Sequence, residues 1–167
     1  HDIGHKGFSL DYLKRLIELV EDHSRVFLSV EGEIPAQLEK YKLPIDPTEI
    51  HDILYYAELF IGEGATMASE CAVLGTPSVY VNSLSAGSLE NQAKENLIHM
   101  FNSTDGVIEK VEEILKNDNY KTQQKIMRDK ALEKKVDVNK FMEWFILNYP
   151  NSYKNFKENS SLQYEIK

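Results

Sequence analysis

The stretch LFIGEGATMASECAVLGTPSVYV, residues 59–81, carries the alternation on which the fold class rests. Leu59, Phe60 and Ile61 form a short apolar run suited to a buried strand, and Gly62-Glu63-Gly64 interrupts it. Residues 66–74 have helical composition, Gly75-Thr76-Pro77 stops that helix, and residues 78–81 return to β-branched and aromatic side chains. The order is therefore strand, glycine turn, helix, turn, strand. In a parallel sheet such a unit aims the free N–H groups of its helix at the carboxyl edge, where an anion sits on them without needing a basic side chain.

Upstream of this unit, Asp46-Pro47-Thr48-Glu49 is a helix start, with Asp46 as cap, Pro47 in first position and Glu49 where a capping box wants it. Ile50, Ile53, Leu54 and Ala57 supply the inward stripe of that helix. Residues 35–41 suit a short helix, and residues 25–30 and 42–45 read as strands. Ser9 is placed to cap an amphipathic helix over residues 9–22, whose apolar face is Leu10, Leu13, Ile17 and Val20. Downstream, residues 82–88 read as a polar, flexible loop, residues 89–95 as a helix, residues 97–101 as a last strand and residues 105–117 as a helix. Residues 121–135 are charged and helical in composition, residues 138–149 are more apolar and aromatic, and Pro150 stops them before a polar, loosely held tail.

Five candidate strands interleaved with helices predict an α/β fold, a Rossmann-like doubly wound parallel sheet covered on both faces, followed by C-terminal helices. The expected organisation is a domain over residues 1–150 and a tail over residues 151–167. In the doubly wound fold a strand precedes the His1 loop, and in a 3-2-1-4-5 order it lies in the middle of the sheet. Either sequence ahead of His1 supplies it, or the strand order differs. The polar opening His1-Asp2-Ile3-Gly4-His5-Lys6-Gly7, without an initiating Met, is read as the start of a fragment.

With 167 residues, 42% hydrophobic and 28% charged, the chain has the composition of a globular domain able to bury a core. Its net charge of −8 argues against a dedicated nucleic-acid binder, which draws affinity from a basic surface. No apolar run approaches the roughly 18 residues of a membrane span, so a cytoplasmic location is expected. The single Cys71 makes neither an internal disulfide nor a redox pair and is read as core.

Residues 51–81 resemble the C-terminal, nucleotide-sugar-binding half of GT-B-type glycosyltransferase-like proteins, nearest to an uncharacterised bacterial and archaeal family. The resemblance rests on a helix ending in Tyr55-Tyr56-Ala57, an apolar strand, the turn Gly62-Glu63-Gly64-Ala65-Thr66, Glu70 in the next helix, and Gly75-Thr76-Pro77. The UDP-N-acetylglucosamine 2-epimerases show a similar order of features. HDIGHKGF at residues 1–8 and GSLENQAKENLIHMF at residues 87–101 extend the likeness over the first two thirds of the chain.

The resemblance implies that Gly64, Ala65 and Thr66 hold a diphosphate through main-chain N–H groups, with the Thr66 hydroxyl adding a bond. It implies that Glu70, four residues on and so on the same helix face, accepts both hydroxyls of a ribose. The structural alternative for Glu70 is a solvated carboxylate near a helix N-terminus. Residues 43–45, with Ile45 at the end, would face the base, the alternative being an ordinary strand end. His5 and Lys6, with His1, are candidates for phosphate contacts, set against plain exposure in a polar loop; Ser85, Ala86 and Gly87 are weaker candidates.

The implied function is donor binding in a glycosyltransferase, with a nucleotide-diphosphate-sugar as substrate and the N-terminal domain of the same protein as partner. These residues alone are then expected to turn over nothing. No Asp-x-Asp motif is present, so neither a metal nor a cofactor is expected, and nucleic acid is not an expected partner. A lipid acceptor or peripheral membrane contact through the lysine-rich residues 121–140 is the weaker alternative to a solvated helix face. A non-hydrolysing UDP-sugar 2-epimerase and a non-catalytic flavodoxin-like interaction module are the competing functions. His51 and Asp52 are read as structural, and His23 and His99 lack metal-ligand spacing.

Overall fold

The computed structural model describes residues 8–30, 32–84 and 87–166. Local signals set most of its helices. The Ser9 side chain accepts the Tyr12 N–H at 3.2 Å and starts α1, Leu10–Glu21, which buries Leu16 and Ile17. Asp46 accepts both the Thr48 N–H at 2.9 Å and its hydroxyl at 2.6 Å, opening a 3₁₀ turn, Pro47–Glu49, that leads into α2, Ile50–Tyr56. Of the α2 stripe, Leu54 is fully inside.

The central unit folds as β1 (Phe60–Gly62), α3 (Ala65–Leu74) and β2 (Ser78–Val81). It is followed by α4 (Gly87–Lys94), β3 (His99–Phe101), α5 (Val107–Leu115) and α6 (Tyr120–Leu132). The three strands form one parallel sheet in the order β1-β2-β3, with Phe60 opposite Ser78 and Val79 opposite His99. The middle strand β2 is buried along its whole length. Val79 and Val81 pack with Leu16 of α1 and with Val107, Val111 and Ile114 of α5. Because side chains alternate along a strand, Ser78 and Tyr80 face the other side, where α3 packs on β1 and β2 and is itself flanked by α2 and α4. The result is a small parallel sheet between helices.

Two of the five expected strands are corrected. Residues 25–30 and 42–45 meet at a single parallel bridge, Leu28 with Lys42. There the Leu28 N–H donates to the Tyr41 carbonyl at 2.7 Å and the Leu43 N–H donates to the Leu28 carbonyl at 2.9 Å. Of the first segment, Val26 and Leu28 are held by packing instead of by a ladder: with Ile34 they lie against Ile17 of α1 and against Leu38 and Tyr41 of the 3₁₀ helix Ala36–Tyr41, while Phe27 and Val30 are exposed.

The motif Gly75-Thr76-Pro77 has a complete structural account. Gly75 has φ 78°, the left-handed conformation that ends a helix at little cost only for glycine. Its N–H donates to the Ala72 carbonyl and the Thr76 N–H to the Cys71 carbonyl, which satisfies the last turn of α3. The buried Thr76 hydroxyl then donates to the Leu54 carbonyl of α2 at 2.7 Å, and the Pro77 carbonyl accepts the Phe60 N–H at 2.9 Å. One tripeptide therefore stops α3, caps α2 and sets the register of β1 on β2.

The chain divides into two compact units, one up to Arg128 and one from Asp129. In the second, α7 (Val138–Leu147) starts at Asp137, whose side chain accepts the Lys140 N–H. The residues after Pro150 differ from the expected loose tail. They form α8, Asn151–Glu158, and a 3₁₀ turn, Ser160–Tyr164. α8 is anchored by fully buried Ser152, whose hydroxyl donates to the Phe145 carbonyl at 2.6 Å, and by Phe156, whose ring centroid lies 5.1 Å from that of Phe141. Among the described residues, no helix is long and apolar enough to cross a membrane.

Candidate functional site

β1 delivers the chain to the carboxyl edge of the sheet at Gly62, and α3 begins three residues later. Gly64 is the N-cap, with φ −80° and ψ 110° and no side chain to satisfy the amides that follow. The helix opens with the bond from the Ala68 N–H to the Gly64 carbonyl at 3.0 Å. The amides of Ala65, Thr66 and Met67 thus have no protein acceptor among the described residues. Thr66 is exposed, and a Cβ placed on Gly64 would meet nothing within 4 Å. Three N–H groups, a hydroxyl and the positive end of the helix dipole share an open position.

Neighbouring loops hold this edge in place. Asn82, just past β2, donates through Nδ2 to the Glu63 carbonyl at 3.2 Å, which fixes the turn between β1 and α3. Its Oδ1 accepts the Leu84 N–H at 3.0 Å, and the Tyr80 hydroxyl donates to the Leu84 carbonyl at 3.0 Å. The loop after β2, expected to be flexible, is pinned at its start. After β3, the Tyr12 hydroxyl of α1 donates to the Thr104 carbonyl at 3.1 Å.

Glu70 lies one turn further into α3, with its side chain about two-thirds shielded. His51 of α2 brings Nε2 to 3.4 Å from Glu70 Oε1. Glu70 is followed by Cys71, fully buried, whose thiol is pushed up to about 12 first by burial and then by the Glu70 charge. That thiol is not a nucleophile at neutral pH, which fits its place in the core. Among the described residues, no group of three His, Cys, Asp or Glu side chains could hold a metal ion.

The model for the family described as "Protein of unknown function (DUF354)" matches residues 10–150. The chain belongs to the DUF354 family. No curated protein and no solved structure matches it. The matched span of this DUF354 chain runs from α1 through α7 and contains all three strands and the α3 site.

Of the residues singled out from the sequence, Gly64, Ala65, Thr66 and Glu70 share the first turns of α3. Ile45 is half-buried in the segment that leads into α2, and no hydrogen bond, ion pair or ring contact joins it to them. His5 and Lys6, with His1, Ser85 and Ala86, lie outside the described residues. Two residues at this site were missed as site residues. From the sequence His51 reads as structural and Asn82 as part of a flexible loop, because each reaches its partner across 19 residues of chain. Neither spacing leaves a periodic signal.

Proposed function

We propose that this chain is the donor-binding domain of a GT-B-type, glycosyltransferase-like protein, and that its sheet is the core of a Rossmann-like fold binding a nucleotide-diphosphate-sugar. The observation that carries the reading is the uncapped first turn of α3 at the carboxyl edge of β1, with the Glu70 carboxylate one turn beyond it. Diphosphate oxygens are acceptors and match the amides of Ala65, Thr66 and Met67 and the Thr66 hydroxyl. A ribose offers two adjacent O–H donors, and a carboxylate is an acceptor for both. The amides also suit the charge that develops on a departing diphosphate, so the same groups that bind the donor would lower the barrier to its cleavage.

Titration with UDP, followed by NMR at residues 64–70, tests the reading. Shifts concentrated in the first turn of α3 are expected. Glu70→Ala is expected to weaken binding by about 1 to 3 kcal/mol, the cost of leaving polar groups without their partner. Unmoved amides at saturating UDP, or an unchanged affinity in Glu70→Ala, would refute it.

A further inference from the structure

We infer that His51 is a positioning residue for Glu70, and that the pair makes the α3 site selective for ribonucleotides over 2′-deoxyribonucleotides. This rests on the proposed nucleotide site and adds to it a residue from another helix and a discrimination between ligands.

The geometry comes from how α2 is tied to α3. At its far end, α2 is joined through the Leu54 carbonyl to the Thr76 hydroxyl, a buried bond of 2.7 Å. Three residues earlier, and so on the same side of α2, His51 reaches Glu70 with Nε2 at 3.4 Å from Oε1. The two ties lie in the same order along α2 and along α3 with the turn that ends it, so α2 and α3 run parallel in this contact. The Asp46 cap and Pro47 fix the entry to α2, so His51 is held at a set height beside α3.

A glutamate on a helix surface samples many rotamers, and a ligand that needs one of them must first select it. An imidazole beside Oε1 favours one rotamer and leaves Oε2 for the ligand. Both side chains retain some exposure, so the effect is modest and falls on orientation, not on folding.

The test compares UDP with 2′-deoxy-UDP by calorimetry on the unaltered chain, His51→Ala, His51→Gln, Glu70→Ala and the double variant. The unaltered chain is expected to prefer UDP, and Glu70→Ala to abolish the preference. His51→Ala is expected to weaken UDP about two- to five-fold and 2′-deoxy-UDP, which keeps only the 3′-hydroxyl for Glu70, by less. His51→Gln, which keeps an N–H donor, is expected to recover part of the loss, and the double variant to bind no more weakly than Glu70→Ala. If His51→Ala weakens both nucleotides equally, or weakens neither while Glu70→Ala still loses UDP, the positioning role is wrong and the nucleotide site survives. If the unaltered chain binds neither nucleotide, the site assignment fails and this inference with it.

Discussion

Replacing Thr76 with Val tests whether the Gly-Thr-Pro motif is held for structural reasons. The Thr76 hydroxyl is the partner of the Leu54 carbonyl in the last turn of α2, and both are buried. Valine preserves the shape and removes the donor, which leaves a buried carbonyl unpaired at a cost of about 1 to 3 kcal/mol. Thr76→Ser keeps the donor and loses one methyl group, a cost of about 1 kcal/mol. With a urea slope of roughly 1–3 kcal/mol per M, Thr76→Val should lower the unfolding midpoint by about 1 M, and Thr76→Ser by about half as much. Far-UV circular dichroism is the suitable probe, because Trp144 lies in the unit from Asp129 onward and its fluorescence reports on that unit. A Thr76→Val midpoint equal to that of the unaltered chain, or above that of Thr76→Ser, would mean that the hydroxyl does not cap α2.

Two glycines of the central unit should respond in opposite ways to alanine. Gly75→Ala forces a left-handed φ of 78° on a residue with a Cβ, which would sit 2.9 Å from Lys125 Cγ, and should destabilise by about 1–2 kcal/mol in the same urea experiment. Gly64→Ala meets no neighbour and has an ordinary φ of −80°, so thermal unfolding should not move, whereas UDP affinity should fall as the methyl group enters the proposed phosphate position. A third prediction concerns His99, at the start of β3 and 2.7 Å from the Tyr120 hydroxyl. Burial first, and then the Lys110 charge, hold its imidazole below the ordinary histidine value of 6.5, with Glu113 opposing. The unfolded chain therefore binds the proton more readily than the folded one. The contribution is fully present above about pH 6.5 and is lost as the pH falls through the lower folded value, so stability measured by urea should decline on acidification below that point. His99→Gln should flatten this part of the profile; an unchanged slope would sink the assignment.

What could be learned from the sequence alone was local. Ser9 and Asp46 announce their helices because a cap and the amides it satisfies lie within three residues of each other. Gly75 announces the end of α3 because its conformation is nearly closed to other residues. The apolar runs at residues 59–61, 78–81 and 97–101 mark strands that pair, and α3 with its open first turn follows from the glycines before it. Only the tertiary structure decided the rest. Residues 25–30 have strand composition, yet a strand exists only through its neighbours, and here one rung forms while Val26 and Leu28 pack on α1 and the 3₁₀ helix. The residues after Pro150 look too polar to be held, and α8 is anchored by a serine, a residue whose burial no hydropathy pattern announces. The contact of His51 with Glu70 and that of Thr76 with Leu54 depend on how two helices lie side by side. Such placement is fixed by packing between segments distant in the chain, and a local pattern of residues carries no record of it.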